Sequence, residues 1–313
     1  MKSFIRAAEI WLPAQDHSLL EFGAGLFGDA LSFGALSQTM CFGRADGLPG
    51  EAWGKGHPVL LKHFEGSDFR RIGAADVAGL TCAVALPFFK AGEVSAVAVL
   101  FGGDDESSKG AIELWRNDPR ISSDITLLDG YYGGLPPEFE QLSRDAYLPR
   151  GMGLPGMAWQ RDESVMLGQA DASTSFLRGN AASDAGICRA LAWPCQSMTN
   201  ASYVLMLLSG TATPVARRME RWVVDAASGS LVLAGGYCET EGELPGASAA
   251  FSVEEADPLI RQLLSDGTPV LSETAQSMSG VIGRAAVKAG VQGCLCLPVV
   301  VEDKVTEFVA LYL

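Results

Sequence analysis

The sequence is poor in histidine, in cysteine and in basic residues. Three of its 313 residues are histidine and seven are cysteine, and 23 lysines and arginines stand against 37 aspartates and glutamates. The formal net charge of −14 is spread along the whole chain, without a basic segment. Because proteins bind the phosphates of nucleic acids through lysine and arginine, we expect no nucleic-acid partner.

Long hydrophobic runs are also missing. No apolar stretch approaches the roughly 20 residues that cross a bilayer, so we expect no membrane span. The first residues, MKSFIRAAEIW, are too short and too interrupted by charge for a signal peptide. The cysteines are odd in number and stand in apolar stretches, which is typical of reduced thiols. We therefore expect a cytoplasmic protein.

What the chain does contain is an internal repeat. One landmark is a tryptophan in a strand-like stretch, spaced by 104 and 107 residues, at Trp11, Trp115 and Trp222. A second is a proline that ends an Ala-Gly block, spaced by 107 and 104 residues, at Pro87, Pro194 and Pro298. Two independent landmarks with one period predict three copies of one module. The predicted domains are residues 1–106, 107–214 and 215–313.

Each copy has the same predicted order of elements: two strands, a helical middle, a strand, a helix and two long strands. In the first two copies the helical middle begins with Gly-Leu-Pro-Gly, at Gly47 and Gly153. The third copy is the most divergent, and its corresponding helix and strand start at Asp257. This order predicts the α+β class, with three antiparallel sheets that each carry short helices on one face.

These residues resemble the GAF domain family. The resemblance is strongest in GLPGEAWGKGHPVLL from Gly47 and AADVAGLTCAVALPFF from Ala74, which match a Gly-Leu-Pro-Gly-x-Ala-Trp helix, a Gly-x-Pro-Val strand and an Ala-Gly block. It implies three tandem GAF-like domains that lack the usual helices before the first strand and after the last.

GAF domains are sensory and regulatory modules that hold small ligands, among them cyclic nucleotides, tetrapyrroles and haem, between the sheet and the helical middle. The signatures of these ligands are not recognisable here, so the cofactor stays unknown. No metal ligands or catalytic residues stand out either. Because the first copy keeps the fullest signature, we expect the ligand pocket there, with polar or aromatic candidates in its wall: Trp53, His63, Phe64 and Arg70.

The resemblance implies a non-enzymatic regulatory protein that binds a small ligand and acts through a protein partner. One alternative is a structural subunit of a larger assembly, in which GAF folds without pockets serve as packing modules. Another is a thiol enzyme similar to methionine sulfoxide reductases. Cys294 and Cys296 share a strand face, but their apolar neighbours favour buried structural cysteines. The pattern Gly23-x-Gly25-x-x-Gly28 is typical of dinucleotide sites, but the equivalent segments of the other copies lack it.

The last strand of each copy is apolar on successive residues, as in VAVLF, YVLMLL and FVALYL. Such strands are buried on both faces. Since the usual covering helices are missing, we expect the three sheets to cover one another, or to dock on a protein partner or a second copy.

Overall fold

In the computed structural model, the chain forms three antiparallel sheets with the same strand order. The structure describes residues 3–103, 109–169, 176–274 and 278–313. We refer to each sheet with its helices as the first, second and third unit. The predicted boundary between residues 106 and 107 lies outside the described residues.

The first unit has the strand order β3-β2-β1-β6-β5-β4. Its elements are β1 (Ile5–Pro13), β2 (Leu19–Leu26), α1 (Leu31–Ser37), β3 (Cys41–Gly43), α2 (Gly47–Lys55), β4 (Val59–Leu61), α3 (Ile72–Val77), β5 (Cys82–Lys90) and β6 (Glu93–Gly102).

The second unit repeats this arrangement in the order β9-β8-β7-β12-β11-β10. Its elements are β7 (Gly110–Asn117), β8 (Ile125–Tyr131), α4 (Pro137–Arg144), β9 (Tyr147–Leu148), α5 (Gly153–Arg161), β10 (Val165–Leu167), α6 (Gly179–Ala185), β11 (Arg189–Cys195) and β12 (Ser202–Ser209).

The third unit keeps the order β15-β14-β13-β19-β18-β17, and β16 also pairs with β14. Its elements are β13 (Arg218–Asp225), β14 (Ser230–Cys238), β15 (Gly242–Leu244), β16 (Ala250–Ser252), a 3-10 turn (Val253–Glu255), α7 (Pro258–Asp266), β17 (Val270–Ser272), α8 (Gly280–Ala289), β18 (Cys294–Val301) and β19 (Lys304–Tyr312). The short strands β15 and β16 follow β14, where the first two units have a helix.

The predicted fold class is confirmed. The predicted elements occur in the predicted order, but each helical middle also contains short strands that were not predicted: β3, β9, and β15 with β16. The helices begin and end as the sequence chemistry requires. Pro49 lies in the first turn of α2, where a missing N–H costs nothing, and Gly56 ends the helix in the left-handed conformation. Asp162 takes the same left-handed conformation after α5. Among the described residues, no helix is long and apolar enough to cross a membrane.

The central strands of each sheet are buried on both faces. Along β6, alternate residues point to opposite sides: Val97, Val99 and Phe101 pack under the helices of the first unit, while Ala98 and Leu100 point to the other side. This alternation explains why the last strand of each copy is apolar on successive residues.

The faces that carry no helices form one central core. Ile10 from the first unit, Leu207 from the second and Val309 from the third belong to the same buried cluster. The expectation that the three sheets cover one another is therefore confirmed. Because the chain itself covers these faces, they are not available to a protein partner.

Candidate functional site

Each unit carries a buried Glu-x-Trp pair in its first strand. Residues two apart in a strand point to the same face, and in all three units that face lies under the helices. The indole Nε1 donates to the glutamate Oε2 over 3.0, 2.9 and 2.9 Å in Glu9/Trp11, Glu113/Trp115 and Glu220/Trp222. In every unit the pairing with the second strand shifts register just before the tryptophan. Such bulges re-aim side chains, so the shared position indicates one local design.

In the first unit this glutamate belongs to a cluster with Ser37 and Arg71, the first arginine cluster. Ser37 lies in α1, and Arg71 precedes the first residue of α3. The Ser37 hydroxyl donates to Glu9 Oε1 over 2.6 Å, and Arg71 donates to both carboxylate oxygens, with Nη2 3.1 Å from Oε2. Glu9 is 0% exposed and Arg71 is 4% exposed. Three rings enclose the guanidinium, with centroids 4.2, 5.3 and 5.5 Å from Cζ, in Phe33, Phe69 and Phe101.

The second arginine cluster repeats this arrangement with Glu113, Ser143 and Arg178. The arginine forms a bidentate pair with the carboxylate, Nη1 to Oε1 over 2.6 Å and Nη2 to Oε2 over 2.9 Å. Ser143 donates to Oε1 over 2.9 Å, and Tyr132 donates to the same oxygen over 3.0 Å. The enclosing rings lie 5.0, 5.2 and 5.6 Å from Cζ and belong to Phe139, Phe176 and Trp115.

The neighbouring charges in the second arginine cluster shift the pKa values of its groups. Burial raises the pKa of the Glu113 carboxyl, but the charge and hydrogen bonds of Arg178 outweigh it and hold that pKa below its ordinary value. Burial and the neighbouring carboxylate raise the pKa of Tyr132, so its hydroxyl keeps the proton that it donates. The cluster is an ion pair at neutral pH, with its hydrogen bonds made inside the unit.

In the third unit, other residues bind the buried glutamate. Arg218, in the strand itself, donates from Nε to Glu220 Oε1 over 2.6 Å, and the Tyr312 hydroxyl donates to Oε2 over 2.5 Å. Burial lowers the pKa of Arg218, but the charge of Glu220 more than compensates and raises it. Burial, followed by the same carboxylate, raises the pKa of Tyr312. All three units thus contain the buried Glu-x-Trp pair. The arginine that binds its glutamate comes from a different position of the sequence in the third unit.

Three of the four predicted pocket residues lie apart from these clusters, and the fourth, Phe64, stacks on Phe69 of the first arginine cluster at 4.3 Å. Arg70 is on the surface, 56% exposed, and pairs with Asp46 over 2.6 Å. The half-buried Trp53 lies in α2, with Arg44 above its ring. His63 and Phe64 line a groove between the first and second units. The structure therefore brings two of the four candidates together, in a groove between units.

The residues that sequence reasoning missed carry a signal in the repeat itself. Phe69 and Arg71 recur 107 residues later as Phe176 and Arg178. Ser37 recurs as a serine 106 residues later. Aligning the copies polar residue by polar residue would have singled out Arg71, and not its neighbour Arg70, as the arginine that both copies keep.

The other candidate sites, for a dinucleotide, a reactive thiol or a metal, are not formed by the described residues. Gly23 and Gly25 lie within the antiparallel strand β2, so the glycine pattern forms no phosphate-binding loop after a strand. Cys294 and Cys296 are buried with their Sγ atoms 3.8 Å apart. Burial raises the pKa of the Cys294 thiol, which disfavours the reactive thiolate. Within the described ranges, no group of three or more His, Cys, Asp or Glu side chains is placed to hold a metal.

No protein-family model matches the sequence, and no curated protein matches it. Similar solved structures include a GAF domain from A. aeolicus in an inactive state, with 17% identity and a TM-score of 0.27, covering 33% of this chain and 60% of that one. A Staphylococcus aureus NreA protein, mutated in its nitrate-binding site, has 14% identity and a TM-score of 0.28 and covers 35% of this chain and 80% of that one.

A third similar structure is the free methionine-R-sulfoxide reductase from Neisseria meningitidis, with 16% identity and a TM-score of 0.24, covering 34% of this chain and 53% of that one. Each match spans about a third of this chain, the length of one unit. At such scores the similarity carries no argument about ligand or activity.

Proposed function

We propose that this chain is a non-enzymatic protein that acts by contact with protein partners, and that its GAF-like units serve as packing modules. The observation that carries the proposal is the filled interior of the first two units. Arg71 and Arg178 occupy the space between sheet and helices, where a GAF domain would hold a ligand. Aromatic rings enclose both guanidinium groups, and carboxylates neutralise them.

Binding inside a unit would exchange the arginine side chain for a ligand. A ligand entering the first unit would have to displace a guanidinium that is bound to Glu9 and packed against Phe33. Displacement leaves a buried carboxylate without its partner, which costs several kcal/mol. The arginine is covalently attached, so it competes without a loss of translational freedom. An interior of this kind favours a packing module over a sensor.

A regulatory protein with a small ligand is the second candidate. The observation in its favour is the groove of about 890 Å³ between the first and second units, which His63 and Phe64 line. This volume lies within the range of small-molecule sites. A sensor of this kind would bind its ligand between units.

Thermal melting of the full chain with cyclic GMP, haemin and biliverdin tests the first proposal. We expect no rise in Tm with any of them, and native mass spectrometry should give the mass of the polypeptide alone. A one-to-one complex that slows amide hydrogen exchange in β1 and α3 would contradict the proposal, because those elements enclose the first arginine cluster.

A further inference from the structure

A groove of about 390 Å³ lies between the first and third units, and both units line it. It forms where two backbone segments lie side by side: Phe4 N donates to Pro214 O over 2.7 Å, and Ile5 N donates to Val215 O over 3.3 Å. We call it the first–third groove. It lies outside the arginine clusters, so binding there is independent of the proposed packing role.

Two arginines from equivalent positions of the repeat line this groove. Arg6 and Arg217 each stand five residues before the tryptophan of their copy, and the second copy has Gly110 at this position. Arg6 Nη1 donates to Gly79 O over 2.7 Å, and Arg217 Nη1 donates to Gly290 O over 3.3 Å. Each of these glycines follows the last helix of its unit. The two arginines thus bind helix C-termini and bring two positive charges to one groove.

The groove lacks the carboxylate that occupies the equivalent space between the second and third units. There, Arg189 pairs with Glu239 across the two units over 2.9 Å. Glu239 is the 17th residue after the tryptophan of its copy, and the 17th residue after the tryptophan of the first copy is Gly28, which lines the groove. The first–third groove therefore has arginines in its wall without a glutamate at this position.

The charge of Arg217 is not neutralised inside the chain. Its bond to Gly290 is the one hydrogen bond that its side chain makes within the described ranges, and it forms no ion pair there. A guanidinium has five N–H donors, so Arg217 keeps donors for a ligand. The one acidic side chain among the described lining residues is Asp29, which is exposed to solvent and does not pair with Arg217.

The rest of the wall is largely apolar and within reach of a ligand. Phe27, Ala78 and Leu313 line the groove and are half-buried, so each keeps part of its surface open. The Phe27 ring is also held in place, because a Cβ atom at Gly25 or Gly34 would lie 2.3 or 2.5 Å from its ring atoms. A ligand would therefore meet a preformed surface, which lowers the entropy cost of binding.

We propose that the first–third groove binds a small carboxylic acid with a short apolar stem. The carboxylate accepts charge-assisted hydrogen bonds from Arg217, and Arg6 supplies a second positive charge. The stem packs on Phe27 and Leu313. The groove volume lies within the range of small-molecule sites. The ligand thus supplies the negative charge that Glu239 supplies between the second and third units.

Calorimetric titration of the full chain with hexanoate tests the proposal. Because the chain has a net charge of −14, general electrostatics opposes the binding of an anion, and about 0.15 M salt screens this repulsion. We expect saturable binding at one site. Arg217→Gln should weaken it about tenfold or more, the loss expected when a charge-assisted contact disappears. Hexanamide, which has the same stem without the charge, should bind the wild type at least about tenfold more weakly than hexanoate does.

The matched control is Arg161→Gln. It removes the same charge from an exposed position on α5 of the second unit, and that unit does not line the groove. The control should leave the affinity for hexanoate unchanged. Acetate, which has the charge without the stem, is titrated in parallel and should bind more weakly than hexanoate.

Weaker binding in Arg217→Gln, with unchanged binding in Arg161→Gln, supports the proposal. Absence of saturable hexanoate binding overturns it. Equal weakening by both variants also overturns it, because binding would then follow net charge. Melting curves of both variants, matched to the wild type, exclude loss of folding as the cause. The comparison of hexanoate with hexanamide needs no variant, and equal affinity for the two would overturn the proposal by itself.

Discussion

Replacing Arg71 by alanine is the sharpest perturbation of the first arginine cluster. The change removes the guanidinium and leaves Glu9, which is 0% exposed, with Ser37 and the Trp11 indole as its remaining donors. Breaking a buried ion pair in this way costs about 3 to 5 kcal/mol of unfolding free energy. The lost contact of the guanidinium with the Phe33 ring adds to this cost.

The neighbouring arginine supplies the matched control. Arg70 is 56% exposed and makes a surface pair with Asp46, so Arg70→Ala should cost less than about 1 kcal/mol. A second test replaces both charges of the cluster, Glu9→Gln with Arg71→Met. Removing both charges avoids the unpaired carboxylate, so this double variant should recover much of the loss seen in Arg71→Ala.

Urea unfolding monitored by tryptophan fluorescence measures these free energies, and a chemical rescue identifies their origin. Millimolar methylguanidinium should raise the midpoint of Arg71→Ala by occupying the vacated space, and should leave the wild type and Arg70→Ala unchanged. The reasoning is refuted if Arg71→Ala loses no more stability than Arg70→Ala, or if methylguanidinium lowers all three midpoints alike.

Three further outcomes are expected. The folded-state pKa of Glu113 lies below its ordinary value of 4.5, so its carboxylate stabilises the fold above that pH, and this contribution is lost as the pH falls through the lowered pKa. In Glu113→Gln the free energy of unfolding should therefore fall less steeply with decreasing pH in the acid range. The same steepness as in the wild type would contradict this. Cys294 and Cys296 should react with a thiol reagent only after unfolding, whereas the exposed Cys41 should react at once. The wild type should show no methionine sulfoxide reductase activity that substitution of the buried pair could abolish. The fragment of residues 1–106 should aggregate or self-associate, since its sheet contributes one side of the central core, and a monodisperse fragment that melts cooperatively would contradict this.

The sequence predicts the sheets well because their signal is local and repeated. Alternation, turn residues and the Gly-Leu-Pro-Gly start of α2 and α5 all act over a few residues, and each occurs more than once. The central core was also predictable, because VAVLF is apolar on both faces and a strand of that kind needs cover on both sides. Burial of Val99 and Leu100 in different cores is the structural form of that pattern.

The interior of the units was harder to predict, because its residues are far apart in the chain. Whether a given side chain belongs to the interior also depends on the direction in which it points. Arg70 and Arg71 are adjacent and chemically identical, yet one is on the surface and the other is 4% exposed. Composition and motif cannot separate them. The position of Arg71 just before α3 decides its direction, and only the recurrence of Phe-x-Arg in the second copy reveals that position from sequence.

The seams between units differ in a way that bears on where this chain recognises other molecules. Between the second and third units, Arg189 pairs with Glu239 over 2.9 Å and stacks on Tyr237 at 4.0 Å, and Glu307 accepts from Ser164 N of the facing unit. Buried polar groups fill this seam. The first unit borders open grooves on both sides, of about 890 Å³ toward the second unit and about 390 Å³ toward the third. The sheet faces are buried in the central core, and arginines fill the interiors of the first two units. These two grooves, and a third of about 350 Å³ that Phe89, Gln196 and Glu302 line, are concave surfaces at which a ligand or partner side chain would contact more than one unit at once. We therefore expect a ligand that binds at one of the first unit's seams to stabilise the association of units and to raise the Tm of the whole chain in a single transition.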